Sequence, residues 1–176
     1  MDDIVLVPYD PLWPGMYETE VKRLQAADLP GGFVRWEHFG STAVPNLTAK
    51  PIIDILAGVE SLKEARQNAV PVLERLGYAF WYDNPNLEHL FFVRGLPPNG
   101  PRTQHLHVVS MDSPFWERLL FRDYLRAHPN EATRYAELKQ ELAARYSNDR
   151  EAYTESKGVY VQEVTARAKA SLLARS

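Results

Sequence analysis

The run Pro51-Ile52-Ile53-Asp54-Ile55-Leu56-Ala57-Gly58-Val59 is the most apolar stretch of the 176-residue chain, and it carries a carboxylate near its centre. Its length and β-branched content predict a central strand buried on both faces. A carboxylate among isoleucines is costly to bury unless it is paired, hydrogen-bonded or bound to a metal. Asp54 is therefore either a structural acid, satisfied by backbone donors, Lys50 or an arginine, or the acid of a functional site. The rest of the fold must supply its partner.

Around that strand the pattern is mixed. Residues 1–7 suit a short strand, and the Pro8–Pro14 stretch reads as a loop stiffened by three prolines. Residues 14–28 read as a helix, with Pro14 in the first turn and Met16, Tyr17, Val21 and Leu24 as its apolar stripe. Phe33–Phe39 alternates like a strand and breaks at Gly40-Ser41-Thr42. Ser61 and Glu64 form a capping box for a helix towards Leu76, in which Pro71 predicts a kink or two short helices. Strands are expected at Tyr78–Tyr82, Glu88–Arg94 and Arg102–Ser110, with turns at Asp83–Asn86 and Pro97–Pro101. From Ser113-Pro114 the chain reads as helical, divided at His128-Pro129, with a last helix from Asn148 or Asp149 that buries Tyr153, Val159, Tyr160 and Val164. The block order predicts an α+β fold: a mixed sheet of about five strands, helices packed on one face, and a helical C-terminal part over about 113–174. Residues 1–176 are expected to form one domain.

Composition excludes several chemistries. With no cysteine, thiolate zinc sites, cysteine nucleophiles, iron–sulfur clusters and disulfides are all ruled out. The net charge of −3 argues against nucleic acid as a partner, because neutralising phosphates needs clustered excess base. Charge is uneven, with 4 bases and 9 acids in residues 1–60 against 16 bases and 14 acids thereafter. The more basic half would face an anionic substrate or form solvated helices. An acidic N-terminus and the absence of a long apolar run lead to the expectation of a cytoplasmic chain with no membrane partner, monomeric or homodimeric.

Two segments could carry chemistry. Gly40-Ser41 ends a strand, where backbone amides and a hydroxyl can hold a phosphate and the missing side chain of Gly40 permits close approach; such turns also occur for the turn alone. In Gln104-His105-Leu106-His107-Val108 the histidines project to one strand face about 7 Å apart, with Leu106 and Val108 on the other. Two imidazoles and a carboxylate suit a divalent metal (Mg, Mn or Zn). The same pair would equally suit an anion, or a solvated sheet edge. A histidine-triad hydrolase is disfavoured, since Val109 stands where a third histidine belongs. Lys50 stands just before the acidic strand, while Arg102 reads as a surface base. Glu88 and His89 open a strand, and alternation allows one of them to reach the site. Trp36, Phe80, Trp81, Phe91 and Phe92 read as core, and Phe115, Trp116, Leu119, Leu120 and Tyr124 as a face packing a helix on the sheet.

The blocks His38–Pro45, Lys50–Ile55, Arg122–Pro129 and Tyr153-Thr154-Glu155-Ser156-Lys157 resemble the GrpB family, which also occurs fused to some dephospho-CoA kinases. The resemblance runs from about Pro8 to the last helix. It implies a nucleotidyltransferase-like fold, with the Gly-Ser turn followed by an acidic strand, and it singles out Lys157 beside Tyr153. Nucleotidyltransferases place a second carboxylate two residues after the first, on the same face, to hold two magnesium ions. Here that position is Leu56. The resemblance thus implies either an enzyme transferring a nucleotidyl group from a nucleoside triphosphate to a small acceptor, or a degenerate module that binds a nucleotide or CoA-like ligand without turnover. The expected site is Asp54 as the catalytic acid, Gly40, Ser41, Lys50 and Lys157 for phosphate, and Asp54, His105 and His107 for a metal.

Overall fold

The computed structural model describes residues 4–96 and 100–174, apart from the side chain of Arg150. Strand β1 (Phe33–Phe39) runs antiparallel to β2 (Ile53–Val59), the central apolar run. Later strands β3 (Tyr78–Phe80), β4 (Leu90–Arg94) and β5 (Gln104–Ser110) complete a five-stranded mixed sheet in the order β1-β2-β5-β4-β3. Only the β2–β5 pair is parallel. This is the expected α+β arrangement with about five strands, consistent with a nucleotidyltransferase-like fold. Helices cover both faces of the sheet where one was expected, because the two alternating faces of β2 are both largely apolar. The expected strands narrow at their ends, and the turn predicted at Pro97–Pro101 falls largely outside the described residues.

The period of two along β2 sorts its side chains. Ile53, Ile55, Ala57 and Val59 face one side, where they join Leu106, Val108, Leu90 and Phe92 in the main core. Helix α1 (Trp13–Gln25) covers that side through Trp13, Val21 and Leu24, and α2 (Leu62–Glu64) and α3 (Val70–Arg75) follow after it. Each fully buried aliphatic side chain there contributes about 1.5–3 kcal/mol. A π-turn over Ala65–Ala69 separates α2 from α3, just ahead of Pro71. The proline has no N–H to return to the preceding turn, so the expected break is taken up as a register change.

Asp54, Leu56 and Gly58 face the other side. There Leu56, Phe39 and Val109 pack against Leu119, Phe115 and Trp116. Phe115 and Trp116 lie on a short 3-10 turn, Pro114–Glu117, capped by Ser113, and Leu119 on α4 (Arg118–Ala127), which continues from it. His128-Pro129 divides α4 from α5 (Pro129–Arg145), as expected. The C-terminal part ends in α6 (Arg150–Ser156), capped by Asp149, and α7 (Gly158–Leu173). These helices pack on Val44 and Leu47, in the link between β1 and β2, through Leu125, Tyr135 and Val164.

Several expectations are corrected. The N-terminal strand is only a bridge, Val7 to Ala49, and residues 1–3 lie outside the described residues. Met16 is exposed because the buried stripe of α1 runs Trp13, Tyr17, Val21, Leu24, and Met16 falls one residue off it. Trp81 lies beyond the end of β3 and is exposed, and Phe91 faces the Asp54 side instead of the main core. The last helix breaks at Lys157, which turns Val159 outward.

Candidate functional site

The parallel register of β2 and β5 sets Asp54 beside His105 and Leu56 beside His107. Alternation then brings Asp54, His105 and His107 to one face, under the C-terminal helices. A cavity of about 460 Å³ opens there, lined at one end by those three residues and including Ser41, Lys50, Tyr153 and Lys157. His105 Nδ1 is 3.0 Å from Asp54 Oδ1, and the Asp54 side chain keeps 25% exposure. The isoleucine neighbours therefore face away from the carboxylate, and its desolvation is partial. His105 Nε2 is buried without a hydrogen-bond partner. One ligand atom from each of Asp54, His105 and His107 lies within 4.8 Å of the others.

His107 is held from behind. Its Nδ1 is 2.8 Å from His89 Nε2, and the two rings stack at 5.0 Å. Burial pushes His107 well below the usual imidazole range and His89 down to about 4. Both rings are thus neutral at pH 7, one nitrogen donating and the other accepting, which is the protonation state a metal ligand needs. Of the two residues opening the expected strand, His89 reaches the site and Glu88 is exposed.

Gly40 has φ +72° and ψ −172°, and a Cβ there would stand 2.9 Å from Asp54 Cγ and overlap its carboxylate. The space expected to admit a phosphate against Gly40 is filled by Asp54. Glycine is required so that the turn can close over the acid. Ser41 opens a 3-10 turn, Ser41–Ala43, and its Oγ accepts a hydrogen bond from Lys139 Nζ at 3.1 Å. Upstream, His38 stacks on Tyr17 and lies 3.0 Å from the Thr42 hydroxyl. That hydroxyl donates to the Ile52 carbonyl, so it accepts from His38 Nε2–H. Burial lowers His38 to about 4.

The other end of the cavity is basic. Lys50 Nζ and Lys157 Nζ sit over the Tyr153 ring, 4.3 and 4.7 Å from its centroid. This brings together two residues far apart in sequence that were both expected at the site, whereas Arg102 does not line the cavity. Sequence reasoning missed Lys139, Tyr135 and Arg118. Lys139 is only 2% exposed and also donates to the Thr48 carbonyl. The signal was present: Glu131, Tyr135, Lys139 and Leu142 form one buried stripe of α5, where a lysine is out of place. Arg118 lies 4.2 Å over the Phe115 ring at the histidine end.

Comparison with known proteins finds relatives over most of the chain. The family described as GrpB protein matches residues 3–167. The chain belongs to the GrpB family. A UPF0157 protein of Pseudomonas aeruginosa is 48% identical over 97% of this chain and 69% of its own length. The crystal structure of a conserved GrpB protein from Enterococcus faecalis superposes with a TM-score of 0.82 at 32% identity, covering 93% of this chain and 96% of that one. A dephospho-CoA kinase of Mycolicibacterium paratuberculosis is 30% identical over 93% of this chain, a stretch that makes up 45% of the kinase. Among the described residues, no helix is long and apolar enough to cross a membrane.

Proposed function

We propose that this GrpB protein binds a nucleoside triphosphate with a divalent metal ion and transfers a nucleotidyl group to a small acceptor. The observation that supports the reading most strongly is the Asp54–His105–His107 cluster, with a buried ring nitrogen that lacks a partner, at one end of a cavity whose other end is basic. The donor set fits a divalent ion: one carboxylate and two imidazoles, His107 neutral, with one ligand atom of each within 4.8 Å of the others. Such an ion would supply charge stabilisation at the α-phosphate. Lys50 and Lys157 would neutralise the departing phosphates, with Ser41 beside them, and Gly40 lets the turn close on Asp54.

A second reading is a nucleotide- or CoA-like-ligand-binding module without turnover. Leu56 favours it, since it is wholly buried against Phe39, Val109 and Leu119 where a two-metal site needs a carboxylate. One experiment separates the readings. The protein is incubated with nucleoside triphosphates and Mg, Mn or Zn, and metal content, nucleotide affinity and pyrophosphate release are measured for wild type and Asp54→Asn. Metal-dependent release, lost in Asp54→Asn, supports transfer. Nucleotide binding without release leaves the binding module, and no divalent binding by wild type at neutral pH removes the metal site.

A further inference from the structure

Among the described residues lining the cavity, five are bases (Lys50, Arg118, Arg122, Lys139 and Lys157), and the one acid is Asp54. Asp54 is engaged with His105, and Arg122 with Glu37 outside the cavity. The positive charge concentrates at the lysine end. Lys50 and Lys157 share the Tyr153 ring, and Lys139 lies 4.8 Å over the Tyr135 ring, between the Thr48 carbonyl and Ser41 Oγ. Lys139 is buried, and holding a protonated ammonium there is costly.

We infer that Lys50, Lys139 and Lys157 form a subsite for a chain of two or more phosphates, and that filling it draws a proton onto Lys139. This deepens the nucleotide reading proposed above by assigning the phosphate tail to side chains other than the metal cluster. Burial, then Lys157, then Lys50 push Lys139 down to about 7. The groups facing it are Ser41 and the Thr48 carbonyl from the β1–β2 link, Lys50 before β2, Tyr153 and Lys157 from α6 and its end, and Tyr135 from its own helix. Among the described residues these groups include no carboxylate. A polyanion arriving among three amines adds negative charge that stabilises the protonated form of Lys139, so binding and proton uptake go together.

The probe is inorganic tripolyphosphate in metal-free buffer with chelator, which keeps the test separate from the metal cluster and from turnover. Calorimetry at pH 6 and pH 8.5, in two buffers of different ionisation heat, reads affinity and proton uptake. Wild type should bind at pH 6, and Lys157→Met and Lys139→Met should each weaken binding about tenfold or more, with circular dichroism confirming the fold. Lys139→Arg should keep binding but lose the part of the pH dependence that exceeds the ligand's own titration. If Lys139→Met does not fold, Lys157→Met and the proton uptake of wild type still decide. Folded wild type that fails to bind tripolyphosphate at pH 6, or variants that bind as well as wild type, would overturn the subsite. An unchanged pH profile in Lys139→Arg, or no proton uptake by wild type near pH 8, would overturn the coupling. Failure of metal binding or of pyrophosphate release alone touches only the transferase reading.

Discussion

Gly40→Ala adds one methyl group at the point where the β1 turn closes on Asp54, and two separable costs follow. The first is backbone strain, because φ +72° with ψ −172° is a region open essentially to glycine, and a residue with a Cβ there costs on the order of 1–3 kcal/mol. The second is steric: the new Cβ would stand 2.9 Å from Asp54 Cγ and overlap the carboxylate oxygen, so the acid must rotate away from His105. Overpacking of this kind costs about 1–3 kcal/mol. A double-mutant cycle with Asp54→Ala separates the two. Truncating Asp54 removes the overlapping carboxylate and leaves only its Cβ, at 3.0 Å. The strain should persist and the steric part should largely vanish, giving a coupling of about 1 kcal/mol or more. Urea denaturation of the four proteins measures it. Additivity within ~0.3–0.5 kcal/mol, the range expected of independent sites, would refute the idea that Gly40 is there for Asp54. It would return the glycine to the role of a bare turn or a phosphate contact.

Two further outcomes follow from the buried imidazoles. His38, lowered to about 4 against 6.5 in the unfolded chain, binds its proton only after unfolding; stability should therefore fall as pH drops from 6.5 to 4, by about 3 kcal/mol at ~1.4 kcal/mol per unit. Denaturation of wild type and His38→Gln across that window checks it, and parallel pH curves would count against a neutral buried ring. His89→Phe keeps the stack on Phe115 but removes the hydrogen bond to His107 Nδ1, so divalent affinity should fall about 10–100-fold with little change in fold, and equal affinity by competition titration would show that His89 does not orient the ligand.

What could be read in the sequence was governed by local periodicity. The alternation at His105 and His107 and the single acid in the most apolar run follow from a period of two, and the sheet adds only that β2 and β5 are adjacent and parallel. Lys139 shows where this fails. Its neighbours Glu137 and Glu141 make α5 look like a solvated helix, and only its place on the stripe with Tyr135 and Leu142 marks it as buried. What it is buried against, Ser41 and the Thr48 carbonyl, lies more than 90 residues away and could come only from tertiary packing. Gly40 failed differently: its conformational freedom was legible, but the atom it makes room for was not. Choosing between Glu88 and His89 required the start of β4, since a shift of one residue exchanges the faces.

Leu56 explains how the polar half of the sheet face stays confined. On the same face of β2, Asp54 looks into the cavity and Leu56 is sealed under Phe39, Val109 and Leu119, one pleat away. A carboxylate at residue 56 would enter that apolar cluster without a partner, at a cost of several kcal/mol. The second ligand position of a two-carboxylate site is therefore built over by packing, beyond the loss of the acid itself. The adjacent strand places His105 and His107 on that face beside Asp54, and His107, which burial keeps neutral, tolerates burial where a second carboxylate would not. A face with one acid, a neutral His107 ring and lysines and arginines elsewhere on the cavity wall would suit, under the proposed function, a ligand that brings its own negative charge. Both proposed readings share that preference and differ only in the chemistry they assign to Asp54.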